Sequence, residues 1–151
     1  MLKIAIFNLA PIEELQYTID CLDKIKEEII DAQIDMFVDK NNLEFIHNNK
    51  NIHEIIPLDL KNINIFNLKN KYDIVNYYNK NKYNIAIDTQ GTLKSAFFNY
   101  QLTGKTAGFK QKGLQNTFIS KFYDETVDLI SVVEKKQKVK DLFSKIFGFE
   151  V

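Results

Sequence analysis

Short apolar segments alternate along the chain with longer stretches in which apolar residues recur every three or four positions. The short segments are typical of strands covered on both faces, and they occupy Lys3–Asn8, Ala32–Val38, His53–Pro57, Tyr83–Asp88 and Thr106–Phe109. The longer stretches predict helices from Pro11 to Ile30, from Asn41 to His47, from Leu93 to Tyr100 and from Ile130 to Ile146, and residues 62–81 are expected to be a loop leading into a further helix.

The order of these elements predicts the fold class. Strands that alternate with helices, through connections too long for hairpins, indicate an α/β fold with a Rossmann-like, doubly wound parallel sheet flanked by helices. Ligands of such sheets bind beyond the carboxyl ends of the strands, so the loops at 8–14, 39–42, 88–94 and 109–113 are the candidate binding loops. The first of them contains no glycine, and the chain has no GKS or GKT phosphate loop, which argues against a nicotinamide or flavin oxidoreductase and a P-loop nucleotidase.

Composition narrows the function classes further. The 151 residues are 45% hydrophobic, as expected for one domain over 1–151 with a substantial core. The 20 basic and 20 acidic residues balance, which argues against a nucleic-acid partner. One cysteine, Cys21, excludes a disulfide framework and a cysteine-built zinc site, and no metal is predicted. No apolar run reaches the roughly 18 residues of a membrane span, so a cytoplasmic protein is expected.

Three groups of residues are candidates for chemistry. Glu13 and Glu14 begin the first helix at the ligand edge, where a carboxylate can act as a general base or can simply complement the helix dipole. The stretch from Asp88 through Gln90, Gly91 and Lys94 to Ser95 can hold an anionic or sugar ligand at a helix start, or it can be an ordinary helix cap.

Lysines supply the third group. All basic residues are lysines, so an anion site must use lysine ammonium groups or backbone N–H groups. Lys110 and Lys112 lie in a glycine-bearing loop that suits carboxylates or phosphates, although surface lysines are common in this chain. Lys135–Lys138 is expected to be a solvated helix face, and Cys21 is expected to lie in the core.

The stretch Tyr83–Ala96 resembles the signature YDLVIDLQGLLKSA of the bacterial ADP-heptose:lipopolysaccharide heptosyltransferases. Further stretches are similar to family segments in the same order: Lys3–Ile6, Asp31–Val38 (family PDAQIDWLV), Asn51–Pro57 (family PAVDEVIP) and Ala107–Tyr123 (family IGF…LFY). The resemblance therefore covers nearly the whole chain.

The resemblance implies the N-terminal, acceptor-binding half of a two-domain GT-B glycosyltransferase, with the C-terminal donor domain absent. In that family a hydroxyl of the lipopolysaccharide inner core attacks the anomeric carbon of ADP-heptose with inversion. Glu14 stands at the position of the family's catalytic aspartate and Glu13 at that of a glycine, and Ser131–Lys135 replaces the helix start HAVER. The acceptor contacts implied are Asp88, Gln90, Gly91, Lys94, Ser95, Lys110 and Lys112.

On this interpretation the chain needs no cofactor of its own and is inactive without a domain that binds ADP-heptose. Its expected partners are the inner-core acceptor and either a separate donor-binding domain or a second copy of the chain, with peripheral association at the inner face of the inner membrane left open. Two alternatives remain: a non-catalytic saccharide-binding or assembly module with this fold, and a small nucleotide-binding protein of flavodoxin or response-regulator type.

Overall fold

The computed structural model describes residues 1–59, 76, 79, 82–102, 104–110, 118–128 and 134–151. In these ranges the strands are β1 (Lys3–Asn8), β2 (Gln33–Asp39), β3 (Glu54–Leu58), β4 (Ile85–Asp88), β5 (Lys105–Lys110) and β6 (Glu125–Asp128). The helices whose bounds lie within these ranges are α1 (Ile12–Glu28), α2 (Leu43–Ile46), which follows a 3₁₀ turn at Lys40–Asn42, α3 (Leu93–Tyr100) and α4 (Lys135–Phe147).

The strands form one parallel sheet in the order β3-β2-β1-β4-β5-β6. The predicted Rossmann-like doubly wound sheet is thereby confirmed. The strand order changes direction between β1 and β4, because β2 and β3 lie on one side of β1, whereas β4, β5 and β6 lie on the other. The loops that follow β1 and β4 therefore diverge and leave a crevice at the carboxyl edge of the sheet. A flavodoxin-type sheet has the order 2-1-3-4-5 instead, so the flavodoxin-type alternative is wrong.

Two apolar cores cover the two faces of the sheet. Ile4 and Ile6 of β1 point to the face covered by α1 and α4, whereas Ala5 and Phe7 point to the face covered by α3. This alternation follows from the pleat of a strand, in which successive side chains take opposite sides. Cys21 of α1 is buried in the first core as predicted, and burial raises the pKa of its thiol to about 11.

Five strands lie within one or two residues of their predicted bounds, and two expectations need correction. The edge strand β6 was not predicted, because Val127 is both its one apolar residue and its one buried residue. The last helix begins at Lys135 and not at Ile130, since Glu134 has an extended backbone with φ −53° and ψ 145°. The loop and helix expected within 62–81 fall almost entirely outside the described residues.

Glycine closes the last helix as predicted. Gly148 has φ 78°, a left-handed conformation that costs an L side chain strain, and its N–H donates to the Ser144 carbonyl at 2.9 Å. Within the described ranges, every helix is too short or too polar to serve as a membrane span.

Candidate functional site

A cavity of about 150 Å³ opens at the crevice between β1 and β4, where the fold places a ligand. Asn8 and Glu14 line it from the first loop and helix, and Gln90 lines it from the loop after β4. Lys135 and Lys138 of α4 complete the side on which α1 and α4 pack. We call this cavity the switch-point cleft.

Buried hydroxyl and amide groups form the floor of the switch-point cleft. The Asn8 side-chain amide donates to Thr18 Oγ1 at 2.8 Å, and the Thr18 hydroxyl donates to Thr89 Oγ1 at 3.1 Å. The Thr89 hydroxyl in turn donates to the Phe7 carbonyl at 3.1 Å. This chain of bonds joins β1, α1 and the end of β4, so the two loops that border the cleft are held at a fixed separation.

Glu14 lies on the rim of the cleft, in the first turn of α1. Pro11 precedes that turn and accepts hydrogen bonds from the N–H groups of Glu14 and Leu15, each at 3.0 Å. The Glu14 side chain is 35% exposed, and its Oε1 accepts a hydrogen bond from Lys135 Nζ. This hydrogen bond is the main cause that raises the pKa of Lys135, so the lysine stays protonated beside the carboxylate.

Asp88 lies on the other side of β4 and is fully buried. Its Oδ1 accepts from the N–H groups of Gln90 at 2.8 Å and Gly91 at 2.9 Å. Its Oδ2 accepts from the hydroxyls of Ser95 at 2.7 Å and Tyr123 at 2.6 Å. Burial raises the pKa of the Asp88 carboxyl, and the four hydrogen bonds oppose that shift without cancelling it.

The four bonds to Asp88 fix the shape of the loop that borders the cleft. Gly91 takes φ 72°, which favours glycine, and Thr92 caps α3 by a capping box with Ser95. The helix-cap interpretation of this segment is therefore confirmed. Asp88 and Ser95 contact the loop and not the solvent, so any contact with an acceptor is made through the backbone that they position.

Tyr123 belongs to the hydrogen-bond network of Asp88, and the sequence did not predict this role. Its ring lies flat against Gly108 of β5, where an added Cβ would stand 2.4 Å from Cζ of the ring. Burial and the neighbouring Asp88 carboxylate raise the pKa of the Tyr123 hydroxyl, which remains a donor to Asp88. A glycine in a strand followed by a tyrosine in the next connection is the one sequence signal for this contact.

Gln90 is the predicted loop residue that reaches the switch-point cleft. It is partly exposed, but its side-chain oxygen Oε1 is buried and has no hydrogen-bond partner among the residues that the structure describes. A buried carbonyl oxygen left without a donor costs about 1–3 kcal/mol. A ligand hydroxyl or amine in the cleft would remove that cost.

Lys94 and Lys110, the predicted lysines that the structure describes, do not line the switch-point cleft. Lys110 follows Phe109 on β5, and because Phe109 faces the cleft, Lys110 points to the opposite side, where its Nζ lies 3.6 Å from Asp128. Lys94 is half-buried in the first turn of α3, on that same side of the sheet. Lys112 lies outside the described residues.

Lys135 and Lys138 take that place in the cleft. The sequence assigned both residues to a solvated helix face. Lys135 is 65% exposed, as expected, although it also lines the cleft, whereas Lys138 is half-buried and the expectation is wrong for it. Lys135 lies four positions before the buried Val139, and Lys138 lies four positions before the buried Leu142, so all four share one side of α4. That spacing was the signal available in the sequence.

A second group of ligating side chains occurs among the described residues, away from the cleft. Asp35, His53 and Glu54 lie within 4.8 Å of one another at the β2–β3 edge. Both oxygens of the buried Asp35 already accept hydrogen bonds, from His53 Nδ1 at 2.9 Å and from the Tyr83 hydroxyl at 2.8 Å. The cluster is therefore a satisfied buried carboxylate, as is usual in protein cores.

Comparison with known proteins finds a curated protein that is similar to this chain in sequence. No family model matches the chain. Lipopolysaccharide heptosyltransferase 1 of Campylobacter coli is 29% identical over 128 residues, which are 85% of this chain and 36% of that protein. The chain thus spans about a third of the length of this curated relative.

Solved structures share the fold over nearly all of the chain. The E. coli heptosyltransferase WaaC with ADP has a TM-score of 0.85 at 16% identity, covering 99% of this chain and 48% of that one. A family 9 glycosyl transferase from Veillonella parvula has a TM-score of 0.79 at 14% identity, covering 96% and 41%. MurG of Acinetobacter baumannii follows with a TM-score of 0.64 at 9% identity, covering 89% and 43%. The resemblance to the bacterial heptosyltransferase family is therefore confirmed, in sequence by one curated relative and in fold by structures of which this chain spans about half.

Proposed function

We propose that the chain is the acceptor-binding half of a heptosyltransferase-like glycosyltransferase of lipopolysaccharide inner-core synthesis. The observation that carries this proposal is Glu14, a partly exposed carboxylate on the wall of the switch-point cleft. It occupies the position that the family resemblance gives to the catalytic aspartate, on the first helix after β1. The fold neighbours and the curated relative support the same assignment.

The proposed reaction uses Glu14 as a general base. Its free carboxylate oxygen accepts the proton of an acceptor hydroxyl while the hydroxyl oxygen forms a bond to the anomeric carbon of ADP-heptose. The bond from that carbon to the diphosphate oxygen breaks, ADP leaves with the electron pair, and the anomeric configuration inverts. A positioned base of this kind contributes about 10²–10⁴-fold to such a step.

Lys135 orients the base in this scheme. Its ammonium group donates to Oε1 of Glu14, and the proposal assigns the other oxygen, Oε2, to the acceptor hydroxyl. Because the lysine lies on α4 and the glutamate on α1, the pair ties together the two helices that border the cleft. Asp88, through the Gln90–Gly91 backbone, holds the opposite border.

ADP-heptose is held, on this proposal, by a second domain outside these 151 residues, and the 151 residues by themselves transfer no heptose. That domain is a C-terminal half or a separate polypeptide, and a second copy of this chain is the remaining candidate. No cofactor takes part. The acceptor is carried on a lipid, which places the protein at the inner face of the inner membrane as a peripheral component.

Heptose transfer tests the proposal directly. The chain is fused to the C-terminal half of the Campylobacter coli relative, and transfer from ADP-heptose to an inner-core acceptor is measured for the fusion, its Glu14→Gln variant and its Glu13→Gln variant. Glu13 is the matched control because it is exposed and does not line the cleft. We expect Glu14→Gln to lower transfer by about 10²–10⁴-fold and Glu13→Gln to leave it within a few-fold. Equal activity of the two variants would remove Glu14 from the mechanism.

A binding module without chemistry is the second candidate, and the Glu14–Lys135 pair favours it because one oxygen of the base is already occupied. This alternative predicts that the chain binds inner-core saccharide while the fusion transfers no heptose. Transfer by the fusion would exclude it.

A further inference from the structure

Large apolar side chains are exposed on the outer side of α3. Leu93 and Tyr100 are 42% and 59% exposed, and the half-buried Phe97 lies between them in the sequence. The spacing of four and then three residues places all three on one side of the helix, away from the buried Ser95 and Asn99. α3 therefore has a second apolar side in addition to the side that covers the sheet.

Two further rings extend this side of α3 into one surface. Phe122 packs edge-to-face on Tyr100, with 5.6 Å between ring centroids, and Phe118 packs on Phe122 in the same way, also at 5.6 Å. We call Leu93, Phe97, Tyr100, Phe118 and Phe122 the aromatic face. It holds three of the seven large apolar side chains that are exposed in the described part of the chain, and contiguous exposed apolar patches mark interaction sites.

Lysines border the aromatic face. Lys94 lies in the first turn of α3, and the exposed Lys121 precedes Phe122. Asp124, the acidic residue nearest to Lys121 in the chain, is bonded instead to the backbone N–H and the hydroxyl of Thr106, each at 2.8 Å. Within the described ranges the border therefore carries two positive charges that no carboxylate pairs.

Exposed rings with lysines at their border match the surface of a lipid bilayer. The rings can bury at the boundary between headgroups and acyl chains, while the ammonium groups reach the phosphates of anionic lipids. A second copy of the chain fits less well, because a two-fold contact through this face would bring the lysines of one copy close to those of the other. The charge therefore favours a lipid surface over a dimer.

We propose that the aromatic face docks on an anionic lipid bilayer, with its exposed rings among the headgroups and its bordering lysines on lipid phosphates. This inference rests on the proposed function, which brings the protein to a membrane but assigns no surface to the contact. It is tested without saccharide or ADP-heptose, so that the two proposals can fail separately.

The aromatic face begins beside the switch-point cleft. Leu93 lies two residues after Gly91, whose N–H donates to Asp88 in the loop that borders the cleft. The eight residues of α3 extend about 12 Å from that loop. A protein docked through this face holds the cleft next to the bilayer surface.

Cosedimentation of the chain with lipid vesicles tests the docking surface. One vesicle preparation contains equal parts of phosphatidylglycerol and phosphatidylcholine, and the other contains phosphatidylcholine alone. Phe118→Ser removes an exposed ring of the aromatic face, and Lys121→Gln removes a bordering charge.

The matched controls are Phe45→Ser and Lys50→Gln. Phe45 is 49% exposed on α2, and Lys50 is exposed in the loop before β3. Both lie near β3, at the edge of the sheet opposite to β5 and β6, and therefore far from the aromatic face.

We expect the wild-type chain to bind the anionic vesicles and Phe118→Ser to weaken this binding by about tenfold or more, because one ring is lost from the contact. Lys121→Gln should weaken it by about fivefold, the effect of one lysine near an anionic surface. In about 1 M salt, which screens charges beyond about 3 Å, the Lys121 effect should shrink below about twofold while the Phe118 effect persists. Phe45→Ser and Lys50→Gln should each change binding less than about twofold.

Each other outcome overturns the inference at a defined point. Equal effects of Phe118→Ser and Phe45→Ser, or of Lys121→Gln and Lys50→Gln, would reject the aromatic face as the docking surface. Equal binding to both vesicle preparations would reject the anionic lipid. Self-association that Phe118→Ser abolishes, with no binding to vesicles, would assign the face to a second copy of the chain. Heptose transfer by the fusion, measured in the absence of a membrane, would leave the proposed function standing in each case.

Discussion

Gly108→Ala is the substitution whose effect follows most directly from the geometry. A Cβ at this position would stand 2.4 Å from Cζ of Tyr123 and 2.6 Å from both Cε1 and Cε2. The ring cannot simply move aside, because its hydroxyl is bonded to the buried Asp88 at 2.6 Å. Overpacking costs about 1–3 kcal/mol. A lost hydrogen bond to a charged group costs about 1.5–3 kcal/mol.

The free energy of unfolding should therefore fall by about 2.5–6 kcal/mol in Gly108→Ala, a large part of the roughly 5–15 kcal/mol typical of a domain. Urea denaturation followed by circular dichroism measures it. Gly148→Ala is the control: it places a side chain at φ 78° with nothing within 4 Å, so it carries backbone strain of about 1–2 kcal/mol and no clash.

A double-mutant cycle separates the clash from other effects of the methyl group. In a Tyr123→Ala background the ring is absent, and Gly108→Ala should cost less than about 1 kcal/mol. The same loss in both backgrounds, or a loss below about 1 kcal/mol in the wild-type background, would refute the packing of Tyr123 on Gly108 and its bond to Asp88.

Two further predictions concern the loop after β4. Burial raises the folded-state pKa of Asp88 above its ordinary 3.8, so its contribution to stability is complete below that value and is lost as pH rises through the folded pKa. The unfolding free energy of wild type minus that of Asp88→Asn should fall as the pH rises above 3.8; a flat or rising difference would contradict the burial argument. Thr92→Ala should lower the unfolding free energy by about 1 kcal/mol in urea titrations, because it removes the cap of α3, and an unchanged value would show that the cap contributes nothing.

The sequence predicted the elements whose apolar pattern is unbroken. β1, β2 and β4 are central strands covered on both faces, so each is a nearly continuous apolar run. β6 is an edge strand with one buried residue, and such a strand leaves no distinctive pattern. The start of α4 at Lys135 depends on the extended backbone of Glu134, which propensity does not specify.

The candidate site was predictable only in part, because sequence places a residue on a loop but not on a side of the sheet. Glu14 and Gln90 both reach the switch-point cleft from the predicted loops. Lys110 does not, since the pleat turns it away from the side that Phe109 faces. The position of Lys138 on the wall of the cleft was missed, because it depends on the packing of α4 against α1, a contact between distant parts of the chain.

Chemical-shift mapping of saccharide binding tests the central claim that ligand binds between β1 and β4 at the carboxyl edge of the sheet. The ¹⁵N-labelled chain is titrated with inner-core oligosaccharide, and amide shifts are followed residue by residue. The account predicts that the largest shifts fall on Ala10, Glu14, Gln90 and Gly91, with Asn84 and Lys105 at the opposite edge unchanged. Shifts concentrated on Asn84 and Lys105, or no shifts at saturating saccharide, would contradict it.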